Sequence, residues 1–228
     1  MTEIEIATNK DLFLSILREK CPDRSGLSNL LSWLEEKTDF FTAPCSTRYH
    51  LSETGGLCAH SLNVYRRLRE IFLGEKQRTE GDDATLTAEE DGSIALAALL
   101  HDICKCNVYH ESFRNQKTYD ISKVAAAEPY QVKEDPLGKF VWETVPGYTF
   151  EDKLPFGHGE KSVFIINRCV KLSVDEALAI CWHMGFSDMD FKAGGYNVGT
   201  AFERCPLAVM LHVADLQATY LDENRNNN

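Results

Sequence analysis

No run of apolar residues in this chain is long enough to span a bilayer, and no charged-then-apolar leader follows Met1. A cytoplasmic protein is therefore expected, without a membrane partner. Positive charge is in short supply: 24 Lys and Arg stand against 35 Asp and Glu, a formal net charge of -11. Because the excess is spread along the chain, its long-range field repels polyanions and disfavours a general nucleic-acid binder. A small nucleotide beside bound metal is not disfavoured, since metal charges dominate their own surroundings. No stretch reads as an interdomain linker, so the 228 residues are expected to form a single domain around one core. The eight cysteines make no disulfide framework. They are scattered, Cys58, Cys169 and Cys181 lie in apolar helical contexts, and Cys104 and Cys106 lack the spacer of a zinc knuckle. They are read as reduced, buried small residues.

What is present is mostly helical. Asn9 to Lys20, and a second segment opened by Ser25-Gly26, carry helical apolar spacing and read as packing elements within residues 1–48. Phe40 to Thr54 reads as a loop holding Arg48-Tyr49-His50, ended by Gly55-Gly56. A long helix is predicted from Leu57 to about Leu73, with His60, Val64 and Arg67 on one face. His60 by itself fits a pocket or an ordinary core or surface position equally well. Gly74 to Asp91 is polar and predicts an exposed loop, with Ser93 as cap of a buried helix from Ile94 to His101.

That helix ends in Leu96-Ala-Ala-Leu-Leu-His-Asp-Ile-Cys-Lys105, the stretch on which the rest turns. A neutral imidazole next to a carboxylate offers ligand types shared by borderline and hard divalent metals, and Lys105 can meet an anion held there. Burying Asp102 without a cation would be costly, which favours a metal. Beyond it, Asn107 to Tyr119 and Phe140 to Val145 predict an antiparallel ribbon inside an insertion, residues 107–157, with Val145 to Tyr148 and Leu154 to Gly157 as turns. Arg114 and Lys117 read either as solvated ribbon charges or as phosphate contacts at the same mouth. His158 opens a helix to about Lys171, where Lys161 and the free N–H groups of the helix start suggest an anion seat. Ser173 with Glu176 is a capping-box pattern before the helix that ends near His183. Phe186 to Thr200 reads as a rim or lid. Pro206 starts a last apolar helix containing His212, taken as a core or supporting histidine, and Asp215, an acid that needs a partner. Residues 223–228 read as a disordered tail.

The order His60, His101-Asp102, His158, His183, Asp215 on successive helices resembles the HD superfamily of metal-dependent phosphohydrolases. The resemblance covers Tyr49 to Asp222, and its most specific parts are Gly-Gly-Leu-x-x-His60, Ala-Leu-Leu-His101-Asp102-Ile-x-Lys105 and Ala-Asp215. It implies an all-α fold, an HD-domain helical bundle with a small β-ribbon insertion and a metal-site core over residues 49–222. The two extra histidines are similar to the six-ligand, two-metal branch. On that likeness His60, His101, Asp102 and Asp215 would bind a first divalent metal and His158 and His183 a second, with Asp102 between them. The ion would be Mn, Fe, Ni, Zn or Mg, and a bridging water would be activated as in other two-metal sites. Asp102, Lys105 and Lys161 are the expected catalytic residues; Lys105, Lys161, Arg114 and Lys117 are the expected substrate contacts. The expected reaction is hydrolysis of a phosphomonoester or phosphodiester in a nucleotide or related small phosphorylated molecule. Two other readings are a 3'-5' exoribonuclease-like phosphodiesterase, from a likeness to the HD module of bacterial exoribonucleases, and a non-catalytic module that sequesters a nucleotide. The preceding oligonucleotide-binding barrel, the Gly-Tyr-Pro signature of cyclic-dinucleotide enzymes and the glycine common at position 104 are not present.

Overall fold

The computed structural model of this chain describes residues 1–188 and 195–223. Its first helix, α1 (Glu3–Lys20), starts well before Asn9 because Thr2 and Glu5 close a capping box. α2 (Leu27–Lys37) follows Gly26, whose φ is 83° and where a Cβ would fall 1.8 Å from the Cys169 carbonyl oxygen. Phe13, Leu17, Leu30, Leu34 and Phe40 interlock here, with the Phe13 and Phe40 rings 5.0 Å apart.

α3 runs from Gly56 to Glu80, so the predicted loop is helix from Gly74 to Glu80. Its polar residues form the water-facing side of that helix: Arg78 pairs with Glu75, and Lys76 reaches Glu90 at 2.6 Å. α4 (Ala88–Leu100) begins at Thr87, whose capping box with Glu90 displaces the predicted start at Ser93. Ser93 instead donates to Glu176 at 2.9 Å. Every residue from Ile94 to Leu100 is buried, which makes α4 the central rod against α1, α3 and α7.

A 3-10 turn (Ile103–Lys105) leads to the insertion: β1 (Tyr109–Thr118), α5 (Ile121–Ala126), β2 (Lys133–Asp135) and β3 (Gly138–Phe150), in sheet order β1-β3-β2. The predicted pairing of the ribbon is present, with Arg114 opposite Val145. The predicted turn at Val145 to Tyr148 is not; it is extended strand within β3, opposite Glu111 to Arg114. Pro146 fits there because β2 covers β3 only at Gly138 to Phe140, so beyond that point its missing N–H costs no ladder bond.

α6 (His158–Asn167) stops short of Lys171, and Leu172 N–H turns back onto the Asn167 side chain. α7 (Val174–Trp182) starts at the Ser173–Glu176 capping box as expected. After a 3-10 turn (Gly185–Asp188) come α8 (Gly195–Arg204), α9 (Pro206–Gln217), with Pro206 in its first turn, and a π-helical turn (Ala218–Asp222). The region read as a rim or lid lies partly outside the described residues. α3, α4, α7 and α9 pack together as the bundle, and α6 lies against α7. No helix among the described residues is long and apolar enough to cross a membrane.

Candidate metal centre

The centre forms where helix ends meet helix sides. His101 and His183 are the C-cap residues of α4 and α7, and His158 is the first residue of α6. His60 and Asp215 project from the second turn of α3 and the last turn of α9.

The two C-cap histidines repeat one device. The last carbonyls of a helix have no intrahelical donor. One of them accepts Nδ1–H from each imidazole: Ala98 O at 2.8 Å from His101 and Ile180 O at 2.7 Å from His183. A carbonyl cannot donate, so the proton is on Nδ1 and Nε2 presents a lone pair. Both rings are 0% exposed, and both Nε2 atoms are without a hydrogen-bond partner. An unmet buried polar atom costs about 1–3 kcal/mol. Two such atoms in one place fit a ligand that accepts lone pairs.

Asp102 sits between them. Its Oδ1 lies 2.6 Å from His158 Nε2 and 3.6 Å from His183 Nε2; its Oδ2 lies 3.4 Å from His101 Nε2, 3.6 Å from His60 Nε2 and 2.7 Å from Lys105 Nζ. His60 Nε2 also meets Asp215 Oδ1 at 3.2 Å. Among the described residues four groups of side chains come close enough to share an ion: Cys45, His50 and His60; His60, His101 and Asp215; His101, Asp102 and His183; and Asp102, Cys104 and His158. All six residues read as ligands from the sequence thus converge, and the donor chemistry of nitrogens and carboxylates suits a divalent cation.

Charges in the site compensate one another. Burial pushes the Asp102 carboxyl up, but Lys105 and the His158 hydrogen bond outweigh it and hold it well below the usual carboxylate range. Asp215 is also lowered, burial being overcome by the hydrogen bond and charge of His60. Burial opposes charge on His158, yet Cys104 and Asp102 raise it to about 9. His60 is likewise held well above its ordinary value against burial, by Cys45, Asp215 and Glu223.

Behind His60 stands Glu223. Its nearly buried carboxylate accepts from His60 Nδ1 at 2.9 Å and from Asn63 Nδ2 at 2.9 Å. Glu223 had been counted with the tail; the π-helical turn and the Arg67–Asp222 ion pair bring it back against α3. Nothing in local sequence pointed to it. His212 donates Nδ1–H to the His183 carbonyl at 2.6 Å, in keeping with a supporting role, and its ring closes on Gly185, where a Cβ would lie 2.8 Å from it.

The centre opens into a cleft of about 510 Å³ lined by His60, Asp102, Lys105, Asp215, His212 and the Arg48-Tyr49-His50 segment, among others. Three expected substrate contacts do not line it. Lys161 is buried and paired with Asp152 at 2.6 Å, because the loop before α6 folds back over that helix and brings an acid to its first turn. Lys117 pairs with Asp135 and lies 4.3 Å from the Phe140 ring centroid, and Arg114 lies along the ribbon over Gly147. The sheet carries both away from the cleft. Cys104 is free and buried, as read from the sequence, and its Sγ lies 3.4 Å from His158 Nδ1.

Comparison with curated proteins and with solved structures returns no match. The family model for the HD domain matches residues 57–215, from the start of α3 to Asp215, and lends nothing specific to the exoribonuclease likeness. With the match spanning most of the chain and its ends falling beside the first and last acid–imidazole contacts of the centre, the chain belongs to the HD domain family.

Proposed function

We propose that this protein is a metal-dependent phosphohydrolase acting on a small phosphorylated molecule, a nucleotide or a close relative. The observation that carries the reading is the pair of buried, unmet Nε2 atoms of His101 and His183 facing Asp102 at the floor of the cleft. His60, His101, Asp102 and Asp215 would hold one ion, and His158 and His183, sharing Asp102, would hold a second. When bound, the metal supplies Lewis-acid charge and an acidified water. The chain does the remaining work. Asp102 presents one oxygen to each imidazole set, which fixes its carboxylate plane. Lys105 places an ammonium beside Oδ2, the position from which it can neutralise a phosphoryl oxygen entering the cleft. The backbone carbonyls of Ala98 and Ile180 keep two imidazoles in the ligating tautomer.

The test is anaerobic purification with elemental analysis, then turnover of a panel of nucleotides and generic phosphoesters with Mn, Fe, Ni, Zn and Mg. Bound transition metal and phosphate release that Asp102→Ala abolishes are expected. A metallated protein that returns every nucleotide unchanged would make it a sequestering module, and stepwise shortening of labelled RNA would make it an exoribonuclease.

A further inference from the structure

Among the described residues, the lysine and arginine side chains that line the cleft are Arg48 and Lys105. Lys105 is bound to Asp102. Arg48 is different: its guanidinium lies 5.1 Å from the Tyr49 ring centroid, Nη2 donates to Tyr49 Oη at 2.9 Å, and no carboxylate of the described residues pairs with it. An exposed arginine needs no partner, so the lack of one is unremarkable alone. What singles out Arg48 is that the segment beneath it is fixed. Tyr49 N–H donates to Ser46 Oγ at 2.9 Å, and Ser46 Oγ donates in turn to the His50 carbonyl at 2.8 Å. Cys45 N–H closes the loop onto Leu51 O at 3.0 Å, and Tyr109 Oη holds Cys45 O from the ribbon side. Leu51 is kept at φ 44°, a left-handed conformation that costs a branched side chain energy and survives only where its surroundings impose it. The guanidinium is thus held against an aromatic ring at the cleft, its other N–H groups unengaged by the described residues, in a chain whose net charge is -11.

We propose that Arg48 on Tyr49 is a second anion subsite, and that the substrate carries a non-reacting phosphate besides the one cleaved beside Asp102. This rests on the phosphohydrolase reading for what happens at Asp102, though not for binding at Arg48. Tyr220, Leu216 and Met184 also line the cleft and give it apolar surface suited to a flat ring rather than to a run of charges. The substrate class is therefore a compact ring-bearing molecule phosphorylated at two separate positions. The planar fork of arginine matches a phosphate edge in two parallel hydrogen bonds, which a lysine cannot reproduce.

The experiment uses the full metal-loaded chain, with adenosine 3',5'-bisphosphate set against the 3'- and 5'-monophosphates. Wild type is expected to favour the bisphosphate. Arg48→Met should lower the bisphosphate-to-monophosphate ratio of kcat/KM by tenfold or more, chiefly through KM, and Arg48→Lys should recover only part of it. Equal losses on all three substrates, or none, would overturn the subsite and leave the phosphohydrolase reading standing. Should no phosphate be released from any of them, calorimetric binding of the bisphosphate decides: tenfold weaker binding to Arg48→Met upholds the subsite while the hydrolytic reading falls, and unchanged or absent binding removes the subsite.

Discussion

Glu223 is the residue on which the geometry of His60 most depends. A carboxylate behind a ligating imidazole fixes its tautomer and raises its basicity, and loss of such a partner typically weakens metal binding 10–100-fold. Glu223→Gln keeps the shape and an acceptor but removes the charge, so metal affinity is expected to fall by about tenfold. Competition with a chromophoric chelator would measure it; affinity equal to wild type would show that Glu223 only packs. A second consequence follows from His158, raised to about 9 by Cys104 and Asp102 against its burial. A proton there competes with a metal, so apparent affinity should climb as pH rises towards about 9 and level off above it. Titration at pH 7 in buffers of different ionisation enthalpy should show proton release on metal binding. For the metal-free protein the sign is reversed: a raised histidine adds stability that is fully present below its ordinary value near 6.5 and is lost as pH climbs through about 9.

At the scale of elements, Glu176 joins α7, α4 and the link between α1 and α2. It closes the capping box of α7, accepts from Ser93 on α4, and pairs with Arg24 in the link between α1 and α2, with its side chain 1% exposed. Glu176→Ala would leave Arg24 without its acid and α7 without half its cap, at about 2–4 kcal/mol. The melting temperature should drop by about 5–10 °C in a chain of this size. Glu160→Ala, an exposed first-turn carboxylate on α6, should barely move it. One of the three capping boxes among the described residues is also where sequence and structure agree. Ser173 and Glu176 were readable as a start because the motif is local, three residues apart. Thr87 and Glu90 form the same motif but lie in an acidic stretch whose poor apolar pattern suggested a loop. α3 was cut short at Leu73 for a related reason: an exposed helical end held by charge pairs has no apolar stripe to reveal it.

For the whole molecule, the ribbon is an appendage rather than a wall of the cleft, apart from the Tyr109 hydroxyl that holds Cys45 O. Closing it with Asn-Gly directly after the His110–Thr149 pair preserves the Tyr109–Phe150 contact and should leave metal stoichiometry unchanged. Elemental analysis and circular dichroism of the shortened protein would check this, and loss of metal would assign the ribbon a structural part in the centre. The same appendage sets Arg114 and Lys117 on the ribbon, the first of the two readings their sequence allows. They follow His101-Asp102 closely in sequence, but β1 rises about 3.3 Å per residue and takes them outward.

From its residues alone the chain determined the identity and order of the six convergent side chains, the central place of the Ile94–Leu100 helix and the existence of the ribbon. Periodicity and adjacency are local, and each of these is a local property. Only the tertiary structure decided that Lys105 and not Lys161 faces the cleft, that Asp102 divides its two oxygens between two imidazole sets, and that Glu223 and Arg48 stand where they do. Helical spacing tells which face a residue occupies, and nothing in it tells which distant segment will be packed against that face; the Glu223–His60 contact joins positions 163 residues apart.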